Sequence, residues 1–180
     1  AIQPEVLSVL DTAISRKYSK QIELNLTTNA TKFNKRLLDK LSEFKSVKFN
    51  ISVDGYGSVY NYIRYPFNWE KWLERIDEIK QYDIECSYTA VPQLLNLENL
   101  HKLQQHIHSQ GDSLYLNNYL HPDGIWNSID IIPNSILQYA VHHIKPGPNS
   151  IVLINYIKQL LEKREPVSKE RLHNMVTTLK

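Results

Sequence analysis

The chain has 180 residues, 42% of them hydrophobic, with 21 basic against 19 acidic side chains and a net charge of +2. That length supports one domain with a sizeable core, and so small a charge gives no basis for a nucleic-acid or membrane-surface partner. The single cysteine, Cys86, excludes an internal disulfide and any multi-cysteine metal site within these residues.

Three tryptophans and eleven tyrosines argue against disorder, because such side chains bring much buriable area. No apolar run approaches the roughly 18 residues of a membrane helix, and no signal peptide opens the sequence, so a cytoplasmic protein is expected. Asn25-Leu-Thr, Asn29-Ala-Thr and Asn50-Ile-Ser match the glycosylation pattern but fall in or beside predicted strands, and are read as chance. With Ala1 rather than Met first and Pro4 in the first turn of a helix, the sequence reads as starting part-way through a larger protein.

In chain order, residues 4–17 form a helix striped by Val6, Leu10, Ala13 and Ile14. Residues 21–29 alternate as a strand, with Ile22, Leu24 and Leu26 opposite Glu23, Asn25, Thr27 and Asn29. A second helix runs from about Asn34, carrying Phe33, Leu37, Leu41 and Phe44 on its apolar side. The strand at 47–54 sets Val47, Phe49, Ile51 and Val53 against Lys48, Asn50, Ser52 and Asp54, and Gly55 and Gly57 end it. A loop then carries Tyr60, Tyr62, Arg64 and Tyr65 to Pro66. Asn68 caps a helix striped by Trp69, Trp72, Leu73, Ile76 and Ile79. A third strand spans 83–91, Asn96 caps a helix ended by Gly111, and a less regular strand covers 113–120. Helices at about 134–144, 150–164 and 168–179 complete the chain.

Strands alternating with helices predict βαβ units and a parallel sheet. Parallel strands covered on both faces should be almost continuously apolar, yet three of these four keep a polar face. Either the sheet is antiparallel with one face in water, or the polar faces line a cavity as inside an open barrel. The long helical connections favour the cavity, and with it a polar ligand beyond the carboxyl ends of the strands.

Several stretches together resemble the radical S-adenosylmethionine (radical SAM) enzymes, particularly those with a twitch-type C-terminal region. Thr28-Asn29-Ala30-Thr31 is similar to the family's Thr-Asn-Gly-Thr at the end of the third barrel strand. Ile51-Ser52-Val53-Asp54-Gly55 is similar to the Ser-x-Asp-Gly that ends the fourth. Tyr62-Ile63-Arg64-Tyr65-Pro66 with Trp69-Glu70, Leu95 to Leu100, and His121-Pro122 resemble later segments. The family's Cys-x3-Cys-x2-Cys loop and its glycine-rich second strand end have no counterpart here, and Ala30 stands where the family has glycine. The resemblance therefore implies the C-terminal portion of such an enzyme. The expected fold is α/β: a partial TIM-like (β/α) barrel with about four parallel strands over residues 1–145, followed by a helical extension over 146–180. It implies S-adenosylmethionine as cofactor, a 4Fe–4S cluster held by residues outside this chain, and a small-molecule or peptide substrate. The alternative is a non-catalytic α/β ligand-binding module derived from that fold.

The resemblance gives Ser52 to the methionine part of the cofactor and Arg64 to its carboxylate, which a planar guanidinium can grip with two hydrogen bonds. Against this stand a serine filling a polar interior, and an arginine that is solvated or paired with Asp54. Asp54 itself suits either a ligand contact or a structural role, taking turn N–H groups or orienting Arg64. Asn29 could position the ribose or substrate, and Thr89 and the backbone near Val91 could border the adenine. Ser52 and Arg64 are expected to converge at the carboxyl end of the sheet. Glu23, Lys48 and Glu85 should form one charged layer, four residues below Thr27, Ser52 and Thr89. The strand at 22–29 should be an exposed edge. No metal ligands are assigned, because His106 and His108, like His142 and His143, do not face each other on a helix. Cys86 is read as a buried, inert thiol.

Overall fold

A computed structural model describes residues 4–32, 34–116, 129 and 132–163. Four strands, β1 (Glu23–Thr28), β2 (Ser46–Ser52), β3 (Ile84–Thr89) and β4 (Ser113–Tyr115), form one sheet in the order β1-β2-β3-β4. All three ladders are parallel. Each crossover carries helix: α2 (Lys35–Leu41) after β1, α3 (Ser58–Ile63) and α4 (Trp69–Lys80) after β2, and α5 (Leu100–Ser109) after β3. The chain opens with α1 (Pro4–Ser15), and α6 (Asn134–His143) and α7 (Ile151–Lys163) follow the sheet. The α/β architecture and the sequential parallel order are as the alternation of elements predicts.

One sheet face is apolar. Val47, Phe49, Ile51, Ile84, Tyr88 and Leu114 are buried there in a single core cluster. Leu37, Leu38 and Leu41 of α2, Trp69, Trp72, Ile76 and Ile79 of α4, and Leu100, Leu103 and Ile107 of α5 join the same cluster. At about 1.5–3 kcal/mol per fully buried large apolar side chain, this layer dominates the stability. β1 contributes least: it buries no residue fully, alternating exposed and half-buried positions as an edge strand does.

Several expectations need correction. The stretch after Gly57 is not simply a loop; it forms α3, which buries Tyr60. In α1 the buried position is Leu10, with Leu7, Ala13 and Ile14 packed beside it, while Val6 faces solvent. Asn68 and Asn34 cap α4 and α2 through side-chain oxygens that accept the N–H groups of Lys71 and Leu37. Asn96 does not cap α5, which starts at Leu100. Its amide is taken up by the loop before the helix. The expected charged layer is only half formed. Lys48 lies opposite Glu85 and pairs with it at 2.5 Å, but Glu23 sits opposite Ser46 and pairs instead with Lys45 at 2.6 Å. The β1 register is offset by two residues from the one assumed, so Asn25 is level with Lys48. Phe33, residues 117–120 of the fourth strand, His121-Pro122 and the 168–179 helix lie outside the described residues.

Candidate functional site

β2 continues one residue beyond its last ladder position, where the Val53 N–H donates to the Thr89 carbonyl at 2.9 Å. Asp54 follows, buried, and then the chain turns sharply. A Cβ on Gly55 would stand 2.9 Å from the backbone nitrogen of Tyr60, so only glycine lets α3 pack this closely on the strand end. Gly57 takes φ 60°, which glycine adopts without strain, and starts α3. Arg64 is the C-cap of that helix and is thereby returned to the end of β2. There Arg64 Nη2 meets Asp54 Oδ2 at 2.5 Å.

Asp54 has a second role. Its Oδ1 accepts the Val91 N–H at 3.1 Å, across the gap between the β2 and β3 ends. The buried Asn96 completes the tie: its Nδ2 donates to the Asp54 carbonyl at 2.9 Å and to the Val91 carbonyl at 2.8 Å, while its Oδ1 accepts the Gln93 N–H at 2.8 Å. Asn99 Oδ1 accepts the Tyr56 N–H at 2.7 Å. Three of these contacts, Val91 to Asp54, Asn96 to Asp54 and Tyr56 to Asn99, fix the two strand-end loops to each other, the preorganisation a binding site needs. Arg64 is half-buried, and its Nε–H is buried without a partner among the described residues, next to the Nη2 that Asp54 holds.

Ser52 and Thr89 are Cα partners across β2 and β3, on the polar face, and both are half-buried. Thr89 Oγ1 donates to Asn50 Oδ1 at 2.7 Å, so its hydroxyl is already engaged within the sheet. Asn29 lies one residue past the Thr28–Ile51 pair, the position nearest the Ser52–Thr89 level. Thr27 lies opposite Asn50 instead, a level lower than expected. Asn29 is exposed, and its Oδ1 accepts from both the N–H and the hydroxyl of Thr31. That turn holds Ala30 at φ 54°, fully buried. The backbone there has the left-handed conformation that suits glycine, although this chain carries alanine. The structure therefore joins Asp54 with Arg64, sets Ser52 beside Thr89, and leaves Asn29 turned on its own loop.

Sequence reasoning missed the latch formed by Asn96 and misplaced Tyr60, which was assigned to a loop. Asn96 was singled out by residue type, but a capping asparagine and a loop-bridging one share that signal. Tyr60 is packed against Trp69 and Trp72, and burial pushes its hydroxyl up to about 12. Cys86 sits half-buried on the apolar sheet face, and burial raises its thiol to about 11, as expected of an inert cysteine.

Comparison with family models matches residues 2–108 to the Radical SAM superfamily, a span of more than half the chain that includes β1 to β3, the Asp54–Arg64 pair and most of α5. No curated protein matches the chain, and no solved structure does. The four parallel strands with flanking helices agree with a partial barrel of that type. On the extent of the family match, the chain belongs to the radical SAM superfamily.

Proposed function

We propose that this chain supplies the S-adenosylmethionine-facing part of a radical SAM enzyme acting on a small-molecule or peptide substrate. It would be the C-terminal portion of a longer cytoplasmic protein of the twitch-containing type. The observation that carries the reading is the buried, unpartnered Nε–H of Arg64, beside the Nη2 that Asp54 holds at the carboxyl end of a parallel sheet. A carboxylate admitted to that N–H by a turn of the guanidinium would satisfy a buried donor that otherwise costs free energy. Asp54 holds the adjoining Nη2 and so fixes which way the guanidinium points. In this reading Ser52 and Thr89 would meet the ligand from the polar sheet face, and Asn29 would have to leave its contacts with Thr31 to join them. Given one electron from a reduced cluster held outside these residues, bound S-adenosylmethionine would split into methionine and an adenosyl radical that abstracts hydrogen; the chain's own residues would orient it and shield it from water.

The residues present do not fit a 4Fe–4S cluster. Cys86 is the single cysteine, it lies on the apolar face, and its thiolate is disfavoured by burial. Cluster ligands must then come from outside these 180 residues. The same fact favours the second reading, a non-catalytic binding module of the same fold.

Arg64→Ala removes a charge-assisted contact and should weaken S-adenosylmethionine binding by roughly 1.5–3 kcal/mol, on the order of ten- to a hundredfold. Titration calorimetry on cluster-loaded full-length protein measures this, and equal affinities would remove Arg64 from the site. Formation of 5′-deoxyadenosine on reduction separates the enzyme from the module.

A further inference from the structure

We infer that the polar face of the sheet binds a neutral, hydroxyl-rich molecule, a sugar or a cyclic polyol. Calling that molecule the substrate rests on the radical SAM proposal above; the chemistry of the face does not. Cα pairing across the three ladders sets Thr27, Asn50, Ser87 and Ser113 in one row that crosses all four strands. At about 4.8 Å between strands, the row is roughly 14 Å long. Two residues nearer the carboxyl rim, Ser52, Thr89 and Tyr115 form a second row, about 6.6 Å from the first.

These groups are accessible and largely unengaged. Thr27, Ser113 and Tyr115 are exposed, and Asn50, Ser52 and Thr89 are half-buried. Asn50 uses its Oδ1 to accept the Thr89 hydroxyl. Its amide N–H groups, and the hydroxyls of Thr27, Ser52 and Ser113, have no hydrogen-bond partner among the described residues. The grid therefore sets amide donors beside hydroxyls that both donate and accept, which matches the hydroxyls of a polyol.

Charge narrows the choice further. The charged side chains that flank the two rows each have a counter-charge: Glu23 pairs with Lys45, Lys48 with Glu85, and Asp54 with Arg64. No surplus is left on the face to favour an anion or a cation. A peptide is the other neutral candidate, but its side chains call for apolar recesses. Tyr115 is the one aromatic ring on these rows, 39% exposed at the end of the second. A single ring beside a field of hydroxyls and amides suits the C–H face of a sugar better than a peptide.

Saturation-transfer NMR on the full-length protein, with no S-adenosylmethionine added, reads binding from the ligand's own signals. Methyl glucoside and myo-inositol are the neutral probes, glucuronate and glucosamine their charged counterparts, and N-acetylalanine methylamide the peptide mimic. At least one neutral probe should bind saturably at millimolar concentration, roughly fivefold tighter than either charged sugar, and the peptide mimic should not saturate. Asn50→Asp, nearly isosteric, should weaken that probe about tenfold. The charge argument has its own check. Lys48→Gln leaves Glu85 without its partner and should turn the preference to glucosamine, whereas Glu85→Gln should turn it to glucuronate. These two side chains are 42% and 69% exposed, so the substitutions leave the core untouched. Failure of both neutral probes to bind overturns the proposal. So does tighter binding of the peptide mimic or of a charged sugar by the unsubstituted protein, or a preference that neither charge variant moves. A negative result here leaves the Arg64 test standing, and loss of Arg64 from the cofactor site leaves this one.

Discussion

At the residue scale, Asp54 is the side chain that joins Arg64 to the loop after β3. Its two oxygens serve Arg64 and the Val91 N–H, one on each neighbouring loop. Removing it leaves a half-buried guanidinium without its counter-charge and a backbone N–H without an acceptor. Removing Arg64 leaves Asp54 still bonded to Val91. The two substitutions are therefore unequal. Asp54→Ala should lower stability by about 3 kcal/mol and Arg64→Ala by about 1 kcal/mol, since breaking a buried pair costs most when the surviving charge loses all its partners. Urea unfolding of both variants decides this. Equal losses would mean that the Val91 contact contributes nothing, and that Asp54 is only a counter-ion.

At the element scale, α3 exists to return Arg64 to the end of β2, and its seat is Gly55. An added Cβ meets both the Tyr60 nitrogen and Val59 Cγ1 at 2.9 Å, and the first of these is backbone, which moves only if the helix moves. Gly55→Ala should cost roughly 1–3 kcal/mol, the usual penalty for overpacking, and should displace Arg64. Gly57→Ala meets nothing within 4 Å and carries only the strain of its φ 60°, ψ −127° backbone, about 1–3 kcal/mol. Thermal melts measure both losses, and S-adenosylmethionine affinity of the full-length protein shows which one disturbs the site. Retained affinity in Gly55→Ala would separate the seating of α3 from the placement of Arg64. The sequence made Gly55 and Gly57 visible as a strand stop but hid α3. The six residues Ser58–Ile63 are too few to show a helical period, and Tyr60 is their one buried side chain. Longer stripes were legible, as in α4, where four of the five apolar residues named from the sequence are buried. Asn68 was recognised because its signal precedes a long stripe, whereas Asn96 precedes a loop turn that uses the same amide chemistry.

At the scale of the whole molecule, sequential parallel order follows from helical connections too long for hairpins, so it could be read from spacing alone. Register could not. Alternation says which face a side chain takes, but not how far along its neighbour a strand lies, and the two-residue offset of β1 moved Glu23 away from Lys48. Packing also sets how the molecule responds to pH. His106 of α5 lies within 5.5 Å of the Tyr56 and Trp69 rings, and desolvation, with Lys80 adding to it, pushes its imidazole below the ordinary histidine value. On the same helix, His101 rests against Tyr139 and His143 and is lowered mainly by desolvation, partly opposed by the Glu98 carbonyl. In both cases the unfolded chain takes up a proton, near pH 6.5, before the folded one does. Stability therefore rises with pH across the interval between the two values. The contribution is complete above about pH 6.5 and is lost as pH falls through the folded values. Urea midpoints should drop between pH 7.5 and pH 5.5, and the drop should shrink in His106→Gln, which keeps a planar polar group but cannot titrate. A midpoint that rises on acidification would mean that the folded protein binds protons more readily than the unfolded chain, and that the aromatic packing around His106 does not govern its charge.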